Sequence, residues 1–362
     1  MKNINRKLQE IFKRSFYKIF KLLYGEINGV KSFKDESRVQ TLTANFQDDI
    51  NYTIYKIKKG RLYTDRIQDT AIILDDNIIE GPSFQLRPVN NVEAFKNVVF
   101  KKGTPRFKKK LSGVTLSLLT GGAGNDNYWH WMYDSISRIG IIEDNFSLND
   151  FSFFLVPDTK YKFQIETLKL LGIDKKSISS KKYKHIFANN LTATNHPWQH
   201  SKSAHKDIEN VPKWITFWLR EKFLKFKSNK KFYEKIYIDR SDSKFSDRKI
   251  INEEKIKKLL IKNKFKILKL SNFSFIEQIG IFNSAKIIVG NHGAGFTNLI
   301  FCKKNTKVVE FKDKNTARVI SKISKDLGLN YKSILGNRIG RDKKNQNNNL
   351  EIPLFKIENL II

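Results

Sequence analysis

The sequence predicts an α/β fold, and three observations carry that prediction. From residue 236 onward short apolar runs alternate with helix-patterned segments: strand 236–238, helix 252–261, strand 264–270, helix 275–284, strand 286–289, helix 295–301, strand 307–311 and helix 316–327. Such alternation implies right-handed crossovers and a parallel sheet, whose ligands sit beyond the carboxyl ends of the strands. The 362 residues divide into about two domains. With 40% hydrophobic and 12% aromatic residues, the chain is too apolar for a disordered polycation.

Taken in order, the chain opens on a basic amphipathic helix at 1–25. Ile4, Leu8, Ile11, Phe12, Phe16, Ile19, Phe20 and Leu23 fall at helical spacing, with Lys2, Arg6, Lys7, Lys13, Arg14, Lys18 and Lys21 in many of the positions between. Two readings stand side by side: a helix lying on an anionic membrane surface, or one packed on its own domain. An N-terminal domain follows at 26–226. Its residues from about 30 to 115 read as short strands and turns. Then come a glycine-rich turn at 121–124, helix 128–139, strand 153–156, helix 163–171, a strand near 185–187 and helix 208–226. The lysine-rich stretch 227–234, free of Gly and Pro, reads as a connection to a C-terminal domain at 235–340. A tail at 341–362, with the polar tract 345–349 as a loop, is expected to pack back on the domains.

Composition narrows the function. The formal charge of +32 invites a nucleic-acid reading. The lysines are spread over the whole chain, however, and no nucleic-acid motif accompanies them, so no nucleic-acid partner is expected. One cysteine, Cys302, allows no intramolecular disulfide and fits a reducing compartment. No run approaches the roughly 18 apolar residues of a membrane span. Lysines and arginines interrupt the N-terminus before a signal-peptide core develops. A cytoplasmic location, peripheral on the membrane if the first helix binds it, is the expectation.

Four segments carry chemistry. Val289–Asn298 (V-G-N-H-G-A-G-F-T-N) lies where a strand meets a helix. There Gly293, Ala294 and Gly295 let backbone amides approach a phosphate, and the helix terminus adds positive charge. His292, Thr297 and Asn298 reach the same ligand. In Asn127–Arg138 the residues His130, Asp134 and Arg138 share a sector of roughly 80° on an α-helix, opposite Trp129, Met132, Ile136 and Ile139. A carboxylate one turn from an imidazole suits general-base work, and the tryptophans and tyrosines there suit sugar stacking.

Tyr237–Arg240 ends a strand on a guanidinium able to clamp a diphosphate, with Arg248 following; an ion pair with Asp239, Asp242 or Asp247 is the structural alternative. Ser274 and Glu277 form a capping box, which alone explains both residues; a role for Glu277 on nucleotide or substrate hydroxyls is the other reading. Glu310, a lone carboxylate in an apolar strand, suits the two hydroxyls of a ribose. His196, His200 and His205 lie close together, but no neighbouring Cys or carboxylate completes a metal set. With no Asp-x-Asp, HExxH or Walker A signature, no metal or other cofactor is expected.

Together these segments resemble glycosyltransferase family 61, also described as capsular polysaccharide biosynthesis or DUF563 proteins. The matches are N-Y-x-H-W-x-x-D-x-x-x-R at Asn127–Arg138, Tyr237–Arg240 followed by Asn252-Glu253, and Phe275–Glu310 with S-F-x-E-Q before it, then A-x-x-I-V-G-x-H-G-A-G-x-T-N and V-V-E. The resemblance implies a GT-B architecture, two Rossmann-like domains facing across a cleft, and a metal-independent inverting transfer with the nucleotide sugar mainly on the C-terminal domain. By that likeness Arg240, His292, Asn298 and Glu310 match donor-site positions, and His130 and Asp134 match the motif facing the cleft. Asn127, Tyr128, Trp131 and Arg138 of that motif go to the acceptor side. Asp239 departs from the bacterial pattern, which often has Ser before the Arg.

The reading that follows is attack of an acceptor hydroxyl on a nucleotide sugar, expected to be UDP-linked, with Asp134 or His130 as the base. The acceptor expected is a surface glycan of capsule, O-antigen or lipopolysaccharide type, carried on a lipid. A catalytically inactive homologue that binds nucleotide or glycan, and a polyanion-binding protein, are the alternatives.

Overall fold

The computed structural model describes residues 2–46, 50–64, 69–85, 94–119, 126–201, 203–242, 248–339 and 348–361. They form two units, Met1–Asp207 and Ile208–Ile362. The expected glycine-rich turn at 121–124 lies outside the described residues, as do the side chain of His205 and all of Asp247.

The first unit begins with the helix Lys2–Tyr24. Its sheet contains β1 (Gly29–Ser32), β2 (Val39–Phe46), β3 (Ile50–Tyr63), β4 (Asp69–Leu74), β5 (Asn77–Glu80), β6 (Phe84–Gln85), β7 (Lys109–Ser117), β8 (Phe153–Val156), β9 (Ser177–Ser179) and β10 (His185–Thr194). The main path runs β1-β5-β4-β3-β10-β7-β8-β9, with β2 on β3 and β6 on β4. β10 is the seam: it is antiparallel to β3 and parallel to β7. The parallel half joins β7 to β8 through helix 128–142 and β8 to β9 through helix Lys162–Leu170. The other half is largely antiparallel, so the sheet of the first unit is mixed. Among the described residues between 39 and 80 no helix separates successive strands, and neighbours pair antiparallel. Tyr55, Ile57, Leu62, Leu111, Leu155, Ile186 and Leu191 form the core beneath the sheet.

The second unit matches the alternation read from the sequence. β11 (Lys235–Asp239), β12 (Lys266–Lys269), β13 (Ile287–Asn291), β14 (Lys307–Lys312) and β15 (Asn330–Leu335) form an all-parallel sheet in the order β12-β11-β13-β14-β15. The crossovers carry helix Glu253–Lys262, helix Phe275–Ser284, the 3₁₀ helix Ala294–Phe301 and helix Val319–Asp326. The direction of winding reverses between β11 and β13, which opens a crevice at their carboxyl ends.

The domain boundary moves from the expected 226–235 to Asp207/Ile208. Helix Lys213–Leu224 belongs to the second unit, where Arg220 donates to the carbonyls of Ile300 (2.5 Å) and Cys302 (2.7 Å) and Phe223 packs edge-on to Phe275. Cys302 itself is buried. Asn349, expected in a loop, instead opens β17 (Asn349–Glu351), paired with β16 (Asn337–Ile339). Helix Leu354–Ile361 then buries Ile357 and Ile361 against Tyr237, Ile256 and Phe311. Among the described residues no helix is long and apolar enough to cross a membrane.

Candidate active site

In the first unit Asn127 caps the helix that follows β7, its side chain accepting from the amides of Trp129 (2.9 Å) and His130 (3.4 Å). The helix is α over Tyr128–His130, π over Trp131–Ile136 and α again over Ser137–Ile142. A π turn holds one residue more than an α turn, so the two α segments are out of phase. For that reason Arg138 does not continue the polar line of His130 and Asp134. It is fully buried, and its Nη1 donates to the carbonyls of Thr194 (3.2 Å) and Asn195 (2.7 Å) at the end of β10. Trp131 is equally buried, with Nε1 donating to Thr167 Oγ1 at 2.9 Å. Both were expected on the acceptor side, and both are core. Tyr128 is half-buried, its ring against Phe163, and burial pushes its hydroxyl up from the usual tyrosine range.

Asp134 is the centre of this half. Only 1% exposed, its carboxylate lies 2.9 Å from His130 Nδ1, accepts from Trp198 Nε1 at 2.6 Å, and has His196 Nε2 3.9 Å away. Burial alone would raise its pKa, but His130, His196 and Trp198 outweigh it and hold the carboxyl below its ordinary value. His196 Nδ1 accepts from the amides of Trp198 (3.4 Å) and Gln199 (3.2 Å), and burial keeps the ring neutral, so its proton sits on Nε2 and faces Asp134. His130 remains partly exposed, with Nδ1 on Asp134. The arrangement is an ionised, immobilised carboxylate behind an accessible imidazole.

In the second unit β11 ends at Asp239 and β13 at Asn291, so Arg240 and His292 project from the two strands flanking the crevice. Arg240 donates to the His292 carbonyl. Its guanidinium lies over Gly293, where a Cβ would stand 2.8 Å from Cζ. Of the alternative partners among the described residues, Asp239 accepts from the Ser241 amide (2.8 Å) and pairs with Lys257 (3.2 Å), and Asp242 accepts from Ser271. Burial and the neighbouring charge of Arg248 lower Arg240 to about 10. Arg240, Arg248, Lys249, Ser241, Glu253 and Asn291 line a pocket of about 250 Å³, with Ile250 as its apolar wall. Asn291 Nδ2 donates to the Arg248 carbonyl (3.1 Å), while its buried Oδ1 has no partner.

His292 Nδ1 is bonded to Glu310, whose other oxygen accepts from the Tyr331 hydroxyl. Burial lowers the His292 pKa although Glu310 opposes it. Glu310 is fully buried with both oxygens engaged. It therefore orients His292, and the expectation that it takes a ribose is corrected. Asn298 and Thr297 are fully buried as well. Asn298 donates to Gln278 Oε1 at 2.8 Å, and Gln278 Nε2 donates to the carbonyls of Leu270 and Phe273, so the amide pair ties the 3₁₀ helix to helix Phe275–Ser284. The buried Oγ1 of Thr297 has no hydrogen-bond partner. Glu277 forms the capping box with Ser274. Ala294 and Gly295 are half-buried at the start of the 3₁₀ helix, and a Cβ on Gly295 would press on Leu270 at 3.0 Å.

The family model described as Glycosyltransferase 61 matches residues 128–309, half of the chain, from the helix of His130 into the strand that carries Glu310. This chain belongs to glycosyltransferase family 61. None of the curated proteins matches it.

Within this family 61 chain, sequence reasoning missed Trp198, Gln199, Tyr331 and Asn291. Trp198 and Tyr331 act on Asp134 and Glu310 from 64 and 21 residues away, and no local pattern announces them. Gln199 is buried with neither amide atom hydrogen-bonded, beside the loop that holds Asp134. A buried amide left so is costly unless a ligand completes it. Among the described residues no three of His, Cys, Asp and Glu are grouped so as to hold a metal ion.

Proposed function

We propose that this glycosyltransferase performs an inverting, metal-independent transfer from a nucleotide sugar, UDP-linked in our assignment, to a hydroxyl of a lipid-carried surface glycan at the cytoplasmic face of a bacterial inner membrane. The reading is a GT-B one, with the donor on the second unit and the base on the first. One observation supports it most: two guanidiniums, Arg240 and Arg248, line a single pocket beside His292 at the reversal point of a parallel sheet. Close like charges there are relieved by an anion, and a diphosphate supplies it.

The base is His130. Asp134 has both oxygens held within the core, so it orients the imidazole. The acceptor oxygen attacks the anomeric carbon while its proton passes to His130 Nε2. The bond from that carbon to the diphosphate oxygen breaks, and the electron pair leaves with the nucleoside diphosphate. Its charge falls to Arg240, Arg248 and His292. Attack from the face opposite the leaving group inverts the carbon. Gln199 supplies amide bonds to acceptor hydroxyls.

The test is a thermal-shift screen against UDP-, GDP-, CMP- and dTDP-sugars, each with and without EDTA. One class should raise Tm with ligand as RT ln(1 + [L]/Kd) predicts, unchanged by EDTA and lost in Arg248→Ala. No shift with any class would sink the donor-site assignment.

A further inference from the structure

The helix Lys2–Tyr24 is fastened to the first unit along one edge. Phe20 is buried edge-on to Phe107 at 5.2 Å, and the Tyr24 ring meets His185 at 5.0 Å. The Tyr24 carbonyl accepts from Arg61 (3.0 Å), its hydroxyl accepts from the Lys108 amide (3.2 Å), and the Tyr17 ring lies against Gly103. At 100° per residue Tyr17, Phe20 and Tyr24 fall in a sector of about 60°. The helix's apolar face lies elsewhere. Ile11, Phe12, Phe16, Ile19, Leu22 and Leu23 form a band about 140° wide. All six are exposed, Leu22 by 89%.

Phe107, 80% exposed, lies on the loop that receives Phe20 and extends the apolar surface beyond the helix. The far edge of the band carries exposed Lys18, and the short helix Val99–Lys102 packed against the long one adds exposed Lys101 and Lys102. We propose that this face docks on an anionic lipid bilayer, the apolar band at acyl depth and these lysines among the headgroup phosphates. Charge decides among occupants. A chain of +32 repels a second copy of itself, whereas an apolar stripe edged by lysines complements both layers of an anionic leaflet.

The experiment is flotation of the full chain with vesicles of phosphatidylcholine alone and of phosphatidylcholine with about one third phosphatidylglycerol. Binding should require the anionic lipid and weaken with salt. Phe12→Asp with Ile19→Asp should lower it about tenfold or more, and so should Lys18→Glu with Lys102→Glu, a pair that removes no packed side chain. Both variants keep the nucleotide-induced Tm shift, which reports the second unit and so separates this face from the donor site. Absent vesicle binding, or equal binding by the apolar variant, overturns the proposal. So does a wild-type dimer that the apolar variant dissociates, since a second copy would then cover the face.

Discussion

Trp198 Nε1 reaches Asp134 Oδ1 at 2.6 Å, and the same carboxylate holds His130 Nδ1 at 2.9 Å through its other oxygen. The indole sets the orientation of the imidazole through an atom that belongs to neither. Trp198→Phe leaves a buried acceptor unpaired, at a cost of about 1–3 kcal/mol. The variant should melt a few degrees lower, and kcat should fall while KM stays near wild type. Equal changes in both parameters would make Trp198 a packing residue only.

His130→Ala should lower turnover by roughly 10²–10⁴ and, since it takes the partner of the second Asp134 oxygen, lower Tm by a few degrees as Trp198→Phe does. Asp134→Asn should lower turnover and also destabilise, because the carboxamide presents N–H to donors that need an acceptor. Both should retain the nucleotide-induced thermal shift. Near wild-type turnover in His130→Ala would reassign the base.

The strand–helix alternation after residue 236 and the Ser274–Glu277 capping box were legible because each rests on local spacing, and the strand-end positions of Arg240 and His292 followed from it. Arg138 was misplaced because a 100° wheel assumes α geometry throughout, and the π turn at Trp131–Ile136 breaks it. Asn298 and Glu310 looked like ligand contacts for a different reason. A strand end and a helix start locate a polar side chain, but its hydrogen-bond partners, Gln278 and Tyr331, come from elsewhere in the chain.

Gly293→Ala isolates the Arg240 clamp. The glycine's φ of 164° is extended backbone that alanine adopts freely, yet its Cβ would stand 2.8 Å from Arg240 Cζ. Tm should change little, while nucleotide affinity falls roughly tenfold to a hundredfold, the scale of charge-assisted hydrogen bonds. Unchanged affinity would remove Arg240 from the donor site.

Nucleotide binding should also take up a proton. His292 is held below its ordinary pKa by burial, so it is neutral near pH 7, and a bound diphosphate favours the charged ring. Affinity for a nucleotide sugar, whose diphosphate diester does not titrate in this range, should strengthen from pH 8 to pH 6. Calorimetry in buffers of different ionisation heat reads the uptake, and His292→Gln should abolish it.

His185 gives the first unit an acid limit. Burial lowers it from 6.5 to about 4, and its Nδ1 sits 3.0 Å from the Arg106 carbonyl. Between those values the unfolded chain binds a proton that the folded one refuses. Stability is therefore whole above pH 6.5 and falls by about 3 kcal/mol on the way to pH 4. Denaturant titrations at pH 7.5 and 4.5 should show the loss, with a shallower dependence in His185→Phe.

Cys302 is the chain's one cysteine, buried at the end of the 3₁₀ helix, and burial pushes its thiol far above the usual range. To a maleimide the native protein is blank. A cysteine installed at any exposed position becomes a unique attachment point, and one in each unit accepts a donor–acceptor dye pair with no background to subtract. The fold thus comes ready for site-specific labelling of either unit.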